Sequence, residues 1–191
     1  MNPVTTSGTI PLFTGRLLLR RFTLEDAGDM LRHWIADPEV QRNYGEPVYQ
    51  SEQAVRALLE QWISRYEDGS FYRWAVVWKE TKECVGQIAF CRVYPEVATA
   101  EVEYCVGRAF QGRGISTEAL RAVIAYALGE AGFARVEAFH RAANRASGRV
   151  LQKAGMAQAC TVRRFELAGH KPEHELCYRA DRQTPDKINH S

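Results

Sequence analysis

The 191-residue chain has no apolar run long enough to cross a bilayer, which excludes a helical membrane protein. Its first residues, Met1–Thr9, lack a basic start followed by an apolar stretch, so no secretory signal is expected. There is no C-x-x-C pair. The five cysteines, Cys84, Cys91, Cys105, Cys160 and Cys177, are odd in number and widely scattered. That pattern excludes a disulfide framework, argues against a structural zinc site, and fits reduced, mostly buried thiols in a cytoplasmic protein. No sign of charge dominates: 25 Lys and Arg stand against 23 Asp and Glu, a net charge of +2. A dedicated nucleic-acid binder carries a stronger basic excess. Internal repeats and low-complexity linkers are missing too, so a single core is expected.

What is present is an ordinary globular composition, 46 % hydrophobic and 25 % charged. Arg16–Arg21 reads as a first strand. Thr23-Leu-Glu-Asp26 resembles a capping box and predicts a helix to about Ile35, ended by Asp37-Pro38. Val55, Leu58, Leu59, Trp62, Ile63 and Tyr66 keep helical spacing until Asp68-Gly69. Three runs rich in β-branched and aromatic residues follow, Phe71–Trp78, Cys84–Val93 and Thr99–Val106. Leu120, Val123, Ile124, Ala127 and Leu128 share one helical face. Ala134–Phe139 is a strand, and Asn144–Ala154 a helix stopped by Gly155. Strands near Cys160–Leu167 and Glu175–Tyr178 close the order. The prediction is one mixed α/β domain over residues 14–180, with a loose tail at 1–13 and a polar tail at 181–191.

The chemistry concentrates in Val106–Glu118. A strand ends, a loop with two close glycines follows, and a helix is predicted from about Thr117. Glycines let backbone N–H groups converge, and a helix N-terminus adds a positive potential. Arg113 adds a full charge, so the loop suits a phosphate or diphosphate. It is not a Walker A loop, having no Gly-Lys-Ser/Thr, nor a dinucleotide fingerprint, whose third glycine is replaced by Thr117.

Gln111-Gly-Arg-Gly-Ile-Ser116 resembles the acetyl-coenzyme A loop, Q/R-x-x-G-x-G/A, of the GNAT N-acetyltransferases. Asn144-Arg-Ala-Ser-Gly-Arg-Val-Leu-Gln-Lys-Ala-Gly-Met156 is similar to the N-x-x-S-x-x-V-L-x-K-x-G-F signature of the branch that includes RimJ and RimL. The opening Thr14-Gly-Arg-Leu-Leu-Leu-Arg-Arg21 is typical of that branch. The resemblance implies a mostly antiparallel sheet, flanked by helices, that splays between its fourth and fifth strands to admit the pantetheine arm. It implies that Cys105 and Val106 bind that arm through their backbone, and that Asn144 contacts it from the other side. Gln111, Gly112, Arg113, Gly114, Ile115 and Ser116 would cradle the diphosphate. Ser116 departs from the pattern's Gly or Ala, but it is small and adds a donor.

The implied activity is direct acetyl transfer from acetyl-CoA to a primary amine, either a protein N-terminal α-amine or a small-molecule amine. No metal, nucleic acid or membrane is called for. Such a reaction needs proximity, a route for the amine's proton, and stabilisation of the leaving thiolate. Glu101 and Glu103 alternate on the fourth strand and share a face with Cys105, so mutual repulsion is expected to favour a proton on one of them. Glu166 falls where the RimL-type enzymes place their proposed base. Glu103 and Glu166 rank equally as bases, ahead of Glu101. Leu151 stands where many members carry a tyrosine acid, and by resemblance Ser147 is its substitute. Trp34 and Tyr44 fall where the family shapes the acceptor pocket. The absent tyrosine keeps a second reading open, a non-catalytic acyl-CoA-binding or regulatory domain. His170 and His174 flank Pro172, which denies them the helical geometry of a metal pair.

Overall fold

The computed structural model describes residues 7–164 and 173–183, with the side chains of 162–164 and 173 left aside. Eight strands form one sheet: β1 (Leu12–Phe13), β2 (Leu17–Arg20), β3 (Arg73–Trp78), β4 (Cys84–Tyr94), β5 (Thr99–Val106), β6 (Arg135–Arg141), β7 (Ala157–Arg164) and β8 (Glu173–Asp181). Their spatial order is β1-β2-β3-β4-β5-β6-β8-β7. The described neighbours pair antiparallel except β5 and β6, which run parallel. The expected fourth and fifth strands are therefore β5 and β6, because the two-residue β1 was not foreseen.

Among the described residues five α-helices cover the sheet: α1 (Ala27–Met30), α2 (Pro38–Tyr44), α3 (Glu52–Ile63), α4 (Ile115–Leu128) and α5 (Arg145–Lys153). One core lies under α4 and α5, where Leu17, Trp74, Ile88, Val102, Leu120 and Leu151 are buried. The other lies under α1–α3, with Met30, Trp34, Val55, Leu59 and Val77. Strand alternation divides β5 between them: Ala100, Val102 and Val106 face the first core and Cys105 the second.

The helix expected from Thr23 changes pitch twice, from a 3₁₀ turn at Leu24–Asp26 through α1 to a π-helical turn at Leu31–Ile35. The predicted capping box is present, and the buried Asp26 also takes two hydrogen bonds from Arg20, at 2.8 and 2.7 Å. α4 starts at Ile115, two positions before the expected Thr117, because Ile115 is itself a buried anchor.

The described parts of the two expected tails, residues 7–13 and 181–183, are held to the rest of the fold. Thr9 is buried, donating to the Phe71 carbonyl and accepting from the Arg73 amide, while Tyr126 donates to the Gly8 carbonyl at 2.7 Å. Residues 8–13 are thus docked against the sheet. At the other end Asp181 closes β8 and accepts from Arg135 at 2.7 Å, and the Arg182 amide bonds the Ala134 carbonyl. Residues 8–13 are mostly apolar, and hydrogen bonds tie both segments to the body of the fold. Glu166 and His170 lie outside the described residues.

Candidate active site

The site begins with a broken ladder. β5 and β6 pair only at Thr99–Glu101 with Arg135–Glu137, after which β6 continues against β8 alone. On the other edge of β5, β4 pairs Phe90 with Val102 and Arg92 with Glu101, leaving Cys91 as a bulge beside the last paired residue. A bulge bends its strand and raises the local twist, and this one on β4 lies level with the end of the β5–β6 ladder. The gap is a cleft of about 690 Å³ lined by Val102–Val106, Ala138–Arg141, and Asn144, Ser147 and Leu151 of α5. Backbone groups of β5 that would have bonded β6 face this cleft instead.

At the mouth the chain leaves β5 through Gly107. A Cβ there would stand 2.7 Å from the His33 carbonyl, so only glycine lets the loop pass the π-helical turn. Gly112 and Gly114 hold φ of +75° and +78°, and a Cβ on Gly112 would meet open space. The first intrahelical bond of α4 runs from Glu118 N to Gly114 O, so the amides of Ile115, Ser116 and Thr117 have no carbonyl partner within the helix. Gly112, Ser116 and Gln111 line the cleft. The Gln111 amide donates to Val106 O at 3.3 Å, and Arg113 lies over the Phe110 ring. Converging amides, a helix N-terminus and an adjacent arginine are the donor set a diphosphate needs.

Across the gap, Asn144 caps α5 by accepting from the Ser147 amide at 3.2 Å. The Ser147 hydroxyl lies 2.9 Å from the Tyr104 hydroxyl. Burial pushes Tyr104 up to about 12, so it stays protonated at neutral pH. Tyr104 was not singled out from sequence; its only signal was alternation with Glu103 on a strand that lines the cleft.

The opposite wall carries Glu103, held from two sides: Tyr44 donates to its Oε1 at 2.7 Å and Arg73 at 3.0 Å. Arg73 also donates to Gln87 at 2.7 Å and stacks on the Trp62 ring, its centroid 4.3 Å away. Tyr44 is held well above its ordinary value by burial. Glu46 is raised as well, first by burial and then by the charge of Glu103. Glu101 pairs instead with Arg92 at 3.2 Å. Two glutamates on one strand face had suggested repulsion between them. The structure gives each its own arginine.

Of the two residues expected at the acceptor pocket, Tyr44 lines the cleft, as does the third-ranked carboxylate Glu101, but Trp34 does not. Trp34 is fully buried in the core beneath α1–α3, because the π-helical turn points its indole inward. Burial pushes the Cys105 thiol to about 12, so that residue offers the cleft its backbone rather than a thiolate. Asp29, His33 and Glu83 approach one another closely enough to hold an ion, but Arg32 already bridges the two carboxylates, at 3.3 and 3.4 Å.

A mixed sheet splayed beside a glycine loop and a helix N-terminus is the setting of this donor set, and comparison with known proteins gives the family. The chain belongs to the GNAT acetyltransferase family, whose domain model matches residues 16–157. It is 29 % identical over 157 residues to the uncharacterized N-acetyltransferase p20 of Bacillus licheniformis, covering 82 % of this chain and 88 % of that one. Its fold matches a GNAT-family acetyltransferase of Bacillus anthracis with a TM-score of 0.79 at 22 % identity, covering 91 % of this chain and 99 % of that one. It likewise matches RimL, the ribosomal L7/L12 α-N-protein acetyltransferase solved with coenzyme A, with a TM-score of 0.77 at 16 % identity, covering 90 % and 98 %.

Proposed function

We propose that this chain transfers an acetyl group from acetyl-CoA to a primary amine, which enters the β5/β6 gap from the α1–α3 side. The observation that carries the reading is the placement of polar groups on both sides of that gap. Glu103, Tyr44 and Arg73 lie on the acceptor side, and Tyr104 and Ser147 on the α5 side. Acetyl-CoA supplies the activated thioester. Gln111–Ser116 bind its diphosphate, the open edge of β5 at Cys105 and Val106 bonds its pantetheine, and Asn144 with α5 closes the other side. Glu103 takes the proton of the incoming ammonium directly or through water, its carboxylate oriented by Tyr44 and Arg73. The Tyr104–Ser147 hydroxyl pair returns a proton on the side where the thiol departs. That pair fills the place left by Leu151, and it favours catalysis over mere coenzyme binding.

The motif likeness to the RimJ/RimL branch favours a protein N-terminal α-amine, whose ordinary pKa near 8 demands less of a base than lysine's. The test is thiol release from acetyl-CoA in the presence of peptides with free N-termini, compared with polyamines and aminoglycosides. Release with an amine, preceded by a saturable rise in melting temperature with acetyl-CoA alone, is expected. A thermal shift with no release from any amine would turn the reading to a coenzyme-binding domain. No shift at all would end it.

A further inference from the structure

The sequence placed Thr14 and Arg16 in a branch signature without giving them work, and the structure assigns it. We infer that Arg16, fixed by Glu118 and Thr14, is the positioning residue of the diphosphate loop, and that it masks a carboxylate otherwise opposed to the ligand. This rests on the acetyl-CoA reading above.

Glu118 stands in the first turn of α4, among the amides proposed to bind the diphosphate. A carboxylate there favours the helix dipole but opposes an anionic ligand. It is not left exposed to that ligand. Thr14 Oγ1 donates to its Oε1 at 2.6 Å, the Arg16 backbone amide donates to the same oxygen at 2.9 Å, and Arg16 Nε donates to Oε2 at 2.7 Å. These partners hold the Glu118 carboxyl below its ordinary value despite partial burial. The remaining end of the guanidinium reaches forward, Nη1 donating to the Arg113 carbonyl at 3.0 Å. Nη2 lies 3.5 Å from where a Gly114 Cβ would stand, and the guanidinium packs over the Trp78 ring at 5.6 Å.

Two consequences follow. A peptide unit whose carbonyl is tied down cannot rotate freely, so the bond to Arg113 O fixes the direction of the Gly114 amide on the same peptide plane. The arginine charge cancels the Glu118 charge at contact distance, which leaves the loop amides and Arg113 facing the ligand without a competing anion. The fork of the guanidinium does both jobs at once, and a lysine point charge cannot.

The test reads coenzyme affinity by calorimetry, with coenzyme A as the probe, on the wild type, Arg16→Lys, Arg16→Met and Arg16→Met/Glu118→Gln. Melting temperatures without ligand check that each variant folds. Arg16→Met is expected to weaken binding about 10- to 100-fold, the range of a charge-assisted contact. Arg16→Lys, which keeps the charge and folds if Met does not, should lose most of that affinity too. The decisive variant is the double one: removing the unmasked carboxylate should recover several-fold of what Arg16→Met lost. A role confined to packing predicts no recovery, so a double variant no better than Arg16→Met overturns masking. Arg16→Lys binding as tightly as wild type overturns positioning by the fork. Wild-type protein that binds no coenzyme A would overturn the acetyl-CoA reading itself, an outcome distinct from either.

Discussion

The two walls of the cleft are built on different principles. The wall proposed to hold the coenzyme is made largely of backbone: the open edge of β5, the Gly112–Gly114 turn and the first amides of α4. The acceptor wall is made of side chains drawn from α2, β3, β4 and β5, with Tyr44, Arg73, Gln87 and Glu103 joined in one hydrogen-bonded chain. Backbone recognition depends on conformation and tolerates many side chains, provided the glycines remain. Side-chain recognition depends on which residues meet and can be retuned one residue at a time.

The contrast breaks most severely at Gly114. With φ of +78° at the N-cap of α4, a β-branched residue there costs about 1–3 kcal/mol in strain and turns the following amides away. Gly114→Val should abolish measurable coenzyme A binding by calorimetry, while Glu103 and Tyr44 keep their geometry. Retained affinity would show that the loop does not carry the diphosphate. The complementary break is Glu103→Gln, whose amide oxygen still accepts from Tyr44 and Arg73 but takes no proton. On the proposed mechanism it lowers kcat by about 10²- to 10⁴-fold and leaves the coenzyme affinity unchanged. An unchanged kcat would move the base elsewhere, Glu166 being the other sequence candidate.

A smaller effect tests the seam between the walls. Tyr104→Phe and Ser147→Ala each remove one end of the 2.9 Å hydroxyl pair, and each should lower kcat about tenfold or more. If the pair acts as one relay, the double variant is little worse than either single one; independent roles would multiply. Measuring kcat for all three separates the two cases.

The same division explains what was legible from sequence. The glycine loop, α4, α5 and its Asn144 cap are local in the chain, so spacing and turn chemistry expose them. The splay was expected through resemblance, but the bulge at Cys91 has no signature of its own, because the apolar stretch Ile88–Cys91 before Arg92 shows no alternation to interrupt. Arg73 was invisible. Its partners Tyr44 and Glu103 lie far from it in sequence, and an arginine opening a strand ordinarily reads as solvated. Resemblance put Trp34 in the acceptor region, but resemblance locates a stretch of chain and not the direction of a side chain, and here the indole is buried in the core. Tyr44 was expected near the acceptor, and its hydrogen bond to Glu103 joins residues 59 apart in the chain, which no local pattern reveals.

Glu46 gives the smallest and sharpest test of the acceptor wall. It follows Tyr44 by one turn residue, and its carboxyl is raised by burial and then by Glu103, with Arg73 offsetting part of the effect. A raised value means that the folded protein holds the Glu46 proton more tightly than the unfolded chain does. Ionised Glu46 is therefore a cost to the fold at neutral pH. The cost fades as pH falls through the raised value, and vanishes below the ordinary 4.5, where both states are protonated. Glu46→Gln should raise the melting temperature at pH 7, by under about 2 °C because the residue is largely exposed and its carboxyl only partly desolvated, and leave it unchanged at pH 4. An equal shift at both pH values would mean packing rather than charge, and no shift would separate Glu46 from the Glu103 cluster. The same surplus of negative charge attracts an incoming ammonium, so the variant that stabilises the empty fold should also raise KM for the amine while leaving that for acetyl-CoA alone. A stability gain coupled to a weaker acceptor site, with the coenzyme wall indifferent, is the signature expected if the two walls are as separate as their construction indicates.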